Sequence, residues 1–189
     1  MKKIFTTAVI LWGILLLSTA NAQSIGVKGG LNFANLSNYN SDTRVSGNIG
    51  LYLHAPLEEG WSIQPELLFS GQGARYSTIN GERTLALDYI QIPVMFQYSP
   101  VRKFYVELGP QIGFLTNAAV KDDSGDKVNV NSDYNKTDFG INIGAGINAT
   151  RAIGFFARYD FGLTDVTRND NQTYRNEVGQ IGMYLRLTP

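Results

Sequence analysis

The ten residues from Tyr89 to Tyr98, which read YIQIPVMFQY, decide the fold class of this chain. The even-numbered positions are all apolar or aromatic, whereas the odd-numbered positions include Gln91 and Gln97. Because successive side chains of a strand point to opposite faces, this alternation predicts an amphipathic β-strand.

The same period of two recurs in both directions along the chain. It predicts further strands at residues 24–33, 46–55, 61–70, 104–114, 139–148, 153–163 and 180–187. Each is close to the length of about 9–11 residues that a tilted strand needs to cross a bilayer. The chain is therefore predicted to be all-β: an eight-stranded antiparallel up-and-down transmembrane β-barrel, similar in size to OmpA or OmpX.

The connections between these strands alternate in length. The segments near 56–60, 99–102 and 149–152 are short, while those near 37–44, 73–83, 117–135 and 165–176 are longer and polar. Outer-membrane barrels have short periplasmic turns and longer extracellular loops. We therefore expect a Gram-negative outer-membrane protein with periplasmic turns and termini and with extracellular long loops.

Alternation alone also fits a soluble lipocalin-like barrel, in which the apolar face points inward. The second face of the strands carries many Gly, Gln, Asn and Tyr residues and a few charges of both signs, which suits a narrow packed lumen better than a water-exposed surface. We expect the apolar face to meet lipid and the charged residues to form a compensated ion-pair network in the lumen: Lys28, Glu66, Glu107, Arg158, Asp160 and Arg186.

Aromatic residues collect near both ends of the apolar face, as the interfacial girdles of membrane barrels do. The belt near the short turns is predicted to comprise Trp61, Phe96, Tyr98, Phe104 and Phe155, and the belt near the long loops Phe33, Phe69, Phe114, Phe139 and Phe161.

The N-terminus has the layout of a secretory signal peptide. Lys2 and Lys3 precede an uncharged, mostly apolar run, and a small-x-small pattern ends at Ala22. We expect residues 1–22 to be a cleaved signal peptide and residues 23–189 to form the barrel domain. The alternative is a membrane anchor helix, for which the apolar run is short.

Composition excludes several classes of partner and site. The chain has 16 Lys and Arg against 16 Asp and Glu, and removal of Lys2 and Lys3 leaves it slightly acidic. A basic patch for nucleic acid is therefore not expected. Cysteine is absent, so neither disulfides nor cysteine metal sites are expected.

Six segments in family order resemble the PorT-type outer-membrane β-barrel proteins of Bacteroidetes. They are GVKGGLNF at 26–33, QPELLFSGQG at 64–73, DYIQIPV at 88–94, GPQIGFL at 109–115, DFG at 138–140 and RYDFGLT at 158–164. The resemblance implies an outer-membrane barrel domain, in a family whose named member is implicated in protein secretion; that role is not carried over. The C-terminal residues Gln180, Gly182, Leu185 and Leu187 resemble part of the signal read by the barrel assembly machinery.

Few residues offer chemistry. His54 is the only histidine and falls on the lumen face, where a hydrogen-bonded structural role is expected instead of catalysis. Asp122, Asp123, Asp126 and Asp133 crowd the longest loop, and the alternatives are a Ca²⁺ site or a solvated loop. We expect no catalytic, metal or cofactor site.

The sequence predicts a non-enzymatic outer-membrane anchor, in contact with lipid, that presents loops 73–83, 117–135 and 165–176 to an envelope partner. The expected roles are envelope integrity, adhesion or an accessory part in a secretion or transport complex. A small passive pore is the first alternative, and a lipid-modifying or proteolytic barrel enzyme is the second.

Overall fold

A computed structural model describes residues 23–37, 41–78, 81–122, 127–168 and 172–188. The expected signal peptide at residues 1–22 lies outside the described residues. Across the described ranges, no helix is long and apolar enough to cross a membrane. The strands are β1 (Ser24–Leu36), β2 (Asp42–Pro56), β3 (Trp61–Thr78), β4 (Gly81–Val101), β5 (Phe104–Asp122), β6 (Lys127–Asn129), β7 (Thr137–Asn148), β8 (Ile153–Gly162) and β9 (Asn176–Arg186).

Eight of these strands close into an antiparallel ring in the order β1, β2, β3, β4, β5, β7, β8, β9. The ring closes where β9 pairs with β1, from Gly26↔Arg186 to Leu36↔Asn176. Strand β6 pairs with the end of β5 and lies outside the ring. A closed ring leaves its eight strands without a free edge. The predicted eight-stranded up-and-down barrel is confirmed.

The two ends of the barrel differ in their connections. One end carries the β2–β3, β4–β5 and β7–β8 connections at residues 57–60, 102–103 and 149–152. We call it the short-turn end, and both ends of the ring, Ser24 and Arg186, lie there. The opposite end carries the connections at 37–41, 79–80, 123–136 and 163–175 and is called the loop end.

The apolar face of the strands points outward. In β8 the odd positions are exposed or half-exposed, while Phe156, Arg158 and Asp160 are buried inside the ring. Leu67 and Ile143, near the middle of their strands, are 51% and 53% exposed. An inward apolar face is therefore contradicted, and the soluble lipocalin-like alternative is wrong.

At the loop end, three connections differ from the predicted loops. The segment 73–83 is mostly a hairpin, because β3 pairs with β4 as far as Thr78↔Gly81. The segment 117–135 holds the end of β5 and all of β6, and β9 begins at Asn176. The polar residues of these segments predict loops. Antiparallel pairing nevertheless provides partners for their backbone N–H and C=O groups, so β3, β4 and β5 continue past the end of the apolar face.

Candidate functional site

Four charged side chains form a compact cluster in the part of the lumen nearer the short-turn end. We call it the charged cluster: Lys28, Glu66, Glu107 and Arg158. Lys28 Nζ lies 3.0 Å from Glu66 Oε1, and Arg158 Nη1 lies 2.9 Å from Glu66 Oε2. Arg158 Nη2 lies 2.8 Å from Glu107 Oε1. The four residues come from β1, β3, β5 and β8, so the cluster joins walls of the barrel that are far apart in the ring.

Neutral side chains complete the coordination of these charges. Gln64 Nε2 donates to Glu66 Oε1 at 2.8 Å, and Gln97 Nε2 donates to Glu107 Oε2 at 2.9 Å. Lys28 Nζ lies 4.1 Å from the centroid of the Phe156 ring, a cation–π distance. The two positive and two negative charges balance, and each carboxylate has several donors, which is the condition under which buried charges are tolerated.

The other two residues expected in this network lie elsewhere. Asp160 sits nearer the loop end, where its Oδ2 accepts hydrogen bonds from Gln91 Nε2 and Gln111 Nε2. Arg186 lies at the short-turn end and donates from Nη1 to the backbone oxygen of Arg151 at 3.3 Å. Ion pairs therefore join four of the six residues, because position along the strand places Asp160 nearer the loop end and Arg186 at the short-turn end.

Between the charged cluster and the short-turn end, four aromatic side chains pack into what we call the short-turn cluster: Tyr52, Tyr105, Phe156 and Tyr184. Each tyrosine lies over a glycine that is its direct partner on the neighbouring strand: Tyr52 over Gly26, Tyr105 over Gly146 and Tyr184 over Gly154. A Cβ added at any of these glycines would come within about 2.2–2.3 Å of a tyrosine ring atom. The glycines therefore make room for flat rings inside a narrow ring of strands.

His54 lines a small polar cavity of about 60 Å³ at the short-turn end. The cavity wall also includes Ser99, Asn148 and Arg186 together with the tyrosines. The hydrogen-bond partners of the imidazole are Gln64 and Gln97, not a carboxylate that would orient it as a base. A cavity of this volume has room for a few waters but not for a lipid or a peptide.

An apolar group fills the lumen at the loop end, and we call it the loop-end cluster: Leu36, Ala74, Leu85, Leu87, Tyr89, Ala118 and Val166. Val130, Tyr134 and Tyr174 pack against it from the two long connections. The charged cluster, the loop-end cluster and the short-turn cluster thus occupy the lumen at three heights.

The connections 123–136 and 163–175 are bonded to each other through their backbones. Asn135 N donates to Val166 O at 2.8 Å, and Arg168 N donates to Asp133 O at 3.0 Å. Asn135 Nδ2 donates to the backbone oxygens of Asp165 and Thr167, both at 2.9 Å. These bonds make the described parts of the two segments one structural unit.

Asp165 organises the second of these segments. Its Oδ1 accepts from the backbone N–H groups of Thr167 at 3.0 Å and Tyr174 at 3.1 Å, and from the Thr167 hydroxyl at 2.9 Å. Desolvation raises the pKa of Asp165, but these hydrogen bonds to the charged form outweigh it and hold the pKa below its ordinary value.

The acidic residues of the longest loop, for which the alternatives were a Ca²⁺ site or a solvated loop, do not come together as a group in the described part of the chain. Asp133 Oδ1 accepts from Ser132 Oγ at 2.9 Å, and Asp122 ends β5. Asp123 and Asp126 lie outside the described residues. Among the residues that are described, no three His, Asp or Glu side chains form a metal-binding group.

The ten aromatic residues expected in the girdles all point away from the lumen. Each is between 38% and 49% exposed: Phe33, Trp61, Phe69, Phe96, Tyr98, Phe104, Phe114, Phe139, Phe155 and Phe161. Trp61 and Tyr98 face each other across β3 and β4, with ring centroids 4.9 Å apart. Their position near the short-turn end is compatible with an interfacial role.

The C-terminal residues expected to carry the assembly signal lie on or just after β9. The Gln180 side chain is buried in the lumen, whereas Leu185 and Leu187 point outward. This places the apolar positions of the pattern on the lipid-facing side.

Sequence reasoning named the charges but not the amides that complete their coordination. Gln64, Gln97, Gln91 and Gln111 all contact carboxylates in the lumen. The signal was that Gln64 lies on the same face of β3 as Glu66, and Gln111 lies on the same face of β5 as Glu107. The loop-end cluster was also missed, because three of its members, Ala74, Ala118 and Val166, come from segments predicted as polar loops.

Comparison with known proteins agrees with this architecture. A family model described as "Outer membrane protein beta-barrel domain" matches residues 20–168. The crystal structure of Neisserial surface protein A superposes with a TM-score of 0.61 at 12% identity, covering 88% of this chain and 100% of that chain. Ail, the attachment invasion locus protein of Yersinia pestis, gives a TM-score of 0.51 at 14% identity, covering 87% of this chain and 97% of that one. At these identities the two structures show the shared fold, and a search of curated proteins finds no match.

Proposed function

Because the chain belongs to the outer membrane protein beta-barrel domain family, we propose that it is a non-enzymatic outer-membrane anchor that presents its loop end to partners. The candidate roles are envelope integrity, adhesion, or an accessory part in a secretion or transport complex. One observation carries the proposal: the described parts of the two longest connections are bonded into a single unit at one end of a barrel whose lumen is filled with side chains.

The loop end has the properties of a presentation surface. The described parts of these connections, residues 127–136, 163–168 and 172–175, are held by backbone hydrogen bonds to each other and by the loop-end cluster. A surface held in this way loses little conformational freedom on binding, which favours affinity. Functional residues of rigid scaffolds concentrate in such connections.

The proposal places the loop end outside the cell and the short-turn end in the periplasm. The chain contains no cysteine, so single cysteines can report sidedness without background. A cysteine at exposed Asp133 should react with a membrane-impermeant maleimide on intact cells, whereas one at exposed Glu59 should react only after the outer membrane is opened. The reverse pattern would overturn the orientation.

Partner binding can be tested by crosslinked pull-down from native outer membranes. Replacement of residues 127–134 by a Gly-Ser linker should abolish capture of any partner while leaving heat-modifiable gel migration intact. The matched control replaces residues 149–152 at the short-turn end and should retain the partner. Equal capture by the wild type and both variants would contradict the proposal.

The filled lumen also supports the anchor over the pore and the enzyme. Eight-stranded barrels have interiors just wide enough for side chains, and here three clusters occupy that space. Catalysis by His54 would need a substrate to enter a cavity of about 60 Å³ and a carboxylate to orient the ring. Lipid A modification and protease assays should therefore show no activity above that of a sample without the protein.

A further inference from the structure

Two buried carboxylates lie in the part of the lumen between the charged cluster and the loop end, which we call the upper lumen. The charged cluster does not neutralise them, because its own two positive and two negative charges cancel. Asp160 on β8 and Asp138 on β7 are 0% and 3% exposed. Asp138 Oδ1 accepts from Thr164 Oγ1 at 2.6 Å, and its Oδ2 accepts from Asn176 Nδ2 at 2.9 Å. The ion pairs found within the described residues include neither carboxylate. Uncompensated burial of this kind is costly, so either a bound cation or a proton must neutralise each carboxylate.

Four buried oxygen atoms beside these carboxylates lack a hydrogen-bond partner among the described residues. They are Asp160 Oδ1, Gln91 Oε1, Asn142 Oδ1 and Asn176 Oδ1, and each belongs to a residue that is at most 1% exposed. Such atoms are rare in folded proteins, because a buried acceptor without a donor loses the hydrogen bonds of water. All four are acceptors, so a cation or a hydrogen-bond donor would satisfy each of them.

Hydrogen bonds and strand pairing place these oxygens in two groups, one around Asp160 and the other around Asp138. Gln91 Nε2 donates to Asp160 Oδ2 at 3.3 Å, and Asn142 is the direct partner of Asp160 across β7 and β8. Asn176 Nδ2 donates to Asp138 and also lies 3.4 Å from the Tyr89 hydroxyl. Each free oxygen therefore sits on a residue that contacts or pairs with one of the two aspartates.

Glycine provides the room in this neighbourhood. Gly140 lies two residues from Asp138 and two from Asn142, and a Cβ there would come within 2.6 Å of Asp160 Oδ1. At Gly113, a Cβ would lie 3.6 Å from Gln91 Cγ and 3.7 Å from Asp138 Cβ. Gly140 therefore leaves room beside Asp160 Oδ1. Gly113 lies where the group around Asp160 approaches the group around Asp138, and a Cβ there would also lie 3.4 Å from Tyr89 Cδ1.

We propose that the upper lumen binds one divalent cation, Ca²⁺ by its ligand chemistry, between Asp160 and Asp138. Ca²⁺ takes six to eight oxygen ligands from carboxylates and amide carbonyls, which are the groups gathered here. Two carboxylates match its charge. Mg²⁺ fits less well, because it demands near-ideal octahedral geometry and retains several waters. The site lies beneath the loop-end cluster, so the cation enters as the barrel folds.

The test uses the full mature chain refolded in detergent, with Ca²⁺ or with EDTA throughout. Refolding with Ca²⁺ should raise the temperature at which the folded gel band is lost. Tb³⁺, a Ca²⁺ substitute, should give luminescence sensitised by nearby Tyr89, and Ca²⁺ present during refolding should suppress it. The double variant Asp138→Asn, Asp160→Asn should fold without Ca²⁺ and lose both responses. Gly140→Ala, which crowds Asp160 Oδ1, should weaken them.

Asp133→Asn is the matched control, because it removes a carboxylate from the loop end and leaves the lumen unchanged. It should keep both responses. The proposal is overturned if the wild type shows neither response, which would mean that protons neutralise the pair. It is equally overturned if the responses survive in the double variant, and their loss in Asp133→Asn would then place the cation at the loop acids.

Discussion

Arg158 on β8 spans the lumen to Glu66 on β3, with Nη1 2.9 Å from Oε2 across a sequence separation of 92 residues. These strands stand four places apart in a ring of eight, so the contact joins opposite walls of the barrel. The same guanidinium reaches Glu107 on β5. Arg158 therefore joins the two carboxylates of the charged cluster.

Replacement of Arg158 by Leu should destabilise the barrel strongly. The change leaves Glu66 and Glu107 buried with only Lys28 as a cation, and loss of one partner of a buried ion pair costs about 3–5 kcal/mol. The measurement is the temperature at which the folded band disappears in unboiled gel samples. Arg168→Leu, an exposed arginine at the loop end, is the control and should leave that temperature unchanged. A normal midpoint for Arg158→Leu would refute the role of the cluster.

Substitution of Gly146 by Ala should disturb the short-turn cluster. The new Cβ would lie 2.3 Å from atoms of the Tyr105 ring, so the ring must move. Overpacking of this kind costs about 1–3 kcal/mol. Urea unfolding in lipid vesicles should show the loss. Gly47→Ala is the matched control, because its nearest atom would lie at 3.6 Å. Equal stability of the two variants would contradict the packing described.

Trp61 should report the depth of the short-turn girdle. The chain has two tryptophans, and the other, Trp12, lies in the expected signal peptide, so emission of the mature protein comes from Trp61. Interfacial tryptophans sit at headgroup level. Lipids brominated near the headgroup should therefore quench the emission more than lipids brominated near the chain end. Stronger quenching by lipids brominated near the chain end would show that Trp61 does not lie in the girdle.

The wild-type barrel should show no steady conductance in planar bilayers. Side chains occupy the lumen at three heights, so ions lack a wide path. A variant with residues 163–175 shortened should also stay closed, since the charged cluster remains. Openings of uniform size in the wild type would favour the passive pore instead.

Acidification should loosen the segment 163–175. The pKa of Asp165 is lowered on folding, so its contribution to stability is complete above the ordinary pKa of 3.8 and is lost as pH falls through the folded value. Hydrogen exchange at Thr167 and Tyr174 should show increased opening below that range. Asp165→Asn removes the titration while keeping an acceptor, and it should make the opening independent of pH.

The sequence by itself determined the fold class, the outward apolar face and the charged residues of the lumen. Period-two alternation is local, and it survives in any barrel because neighbouring side chains on a strand always face opposite ways. It therefore predicted Lys28, Glu66, Glu107 and Arg158 as lumen residues before any contact was known.

Only the tertiary structure decided which of these residues meet. Pairing register and ring order set the height and the wall of each side chain, and neither is local. They brought Arg158 to Glu66, left Asp160 beside Gln91 and Gln111, and moved Arg186 to the short-turn end. They also turned the segment 73–83 into a hairpin, because pairing between β3 and β4 outweighs the turn propensity of a polar sequence.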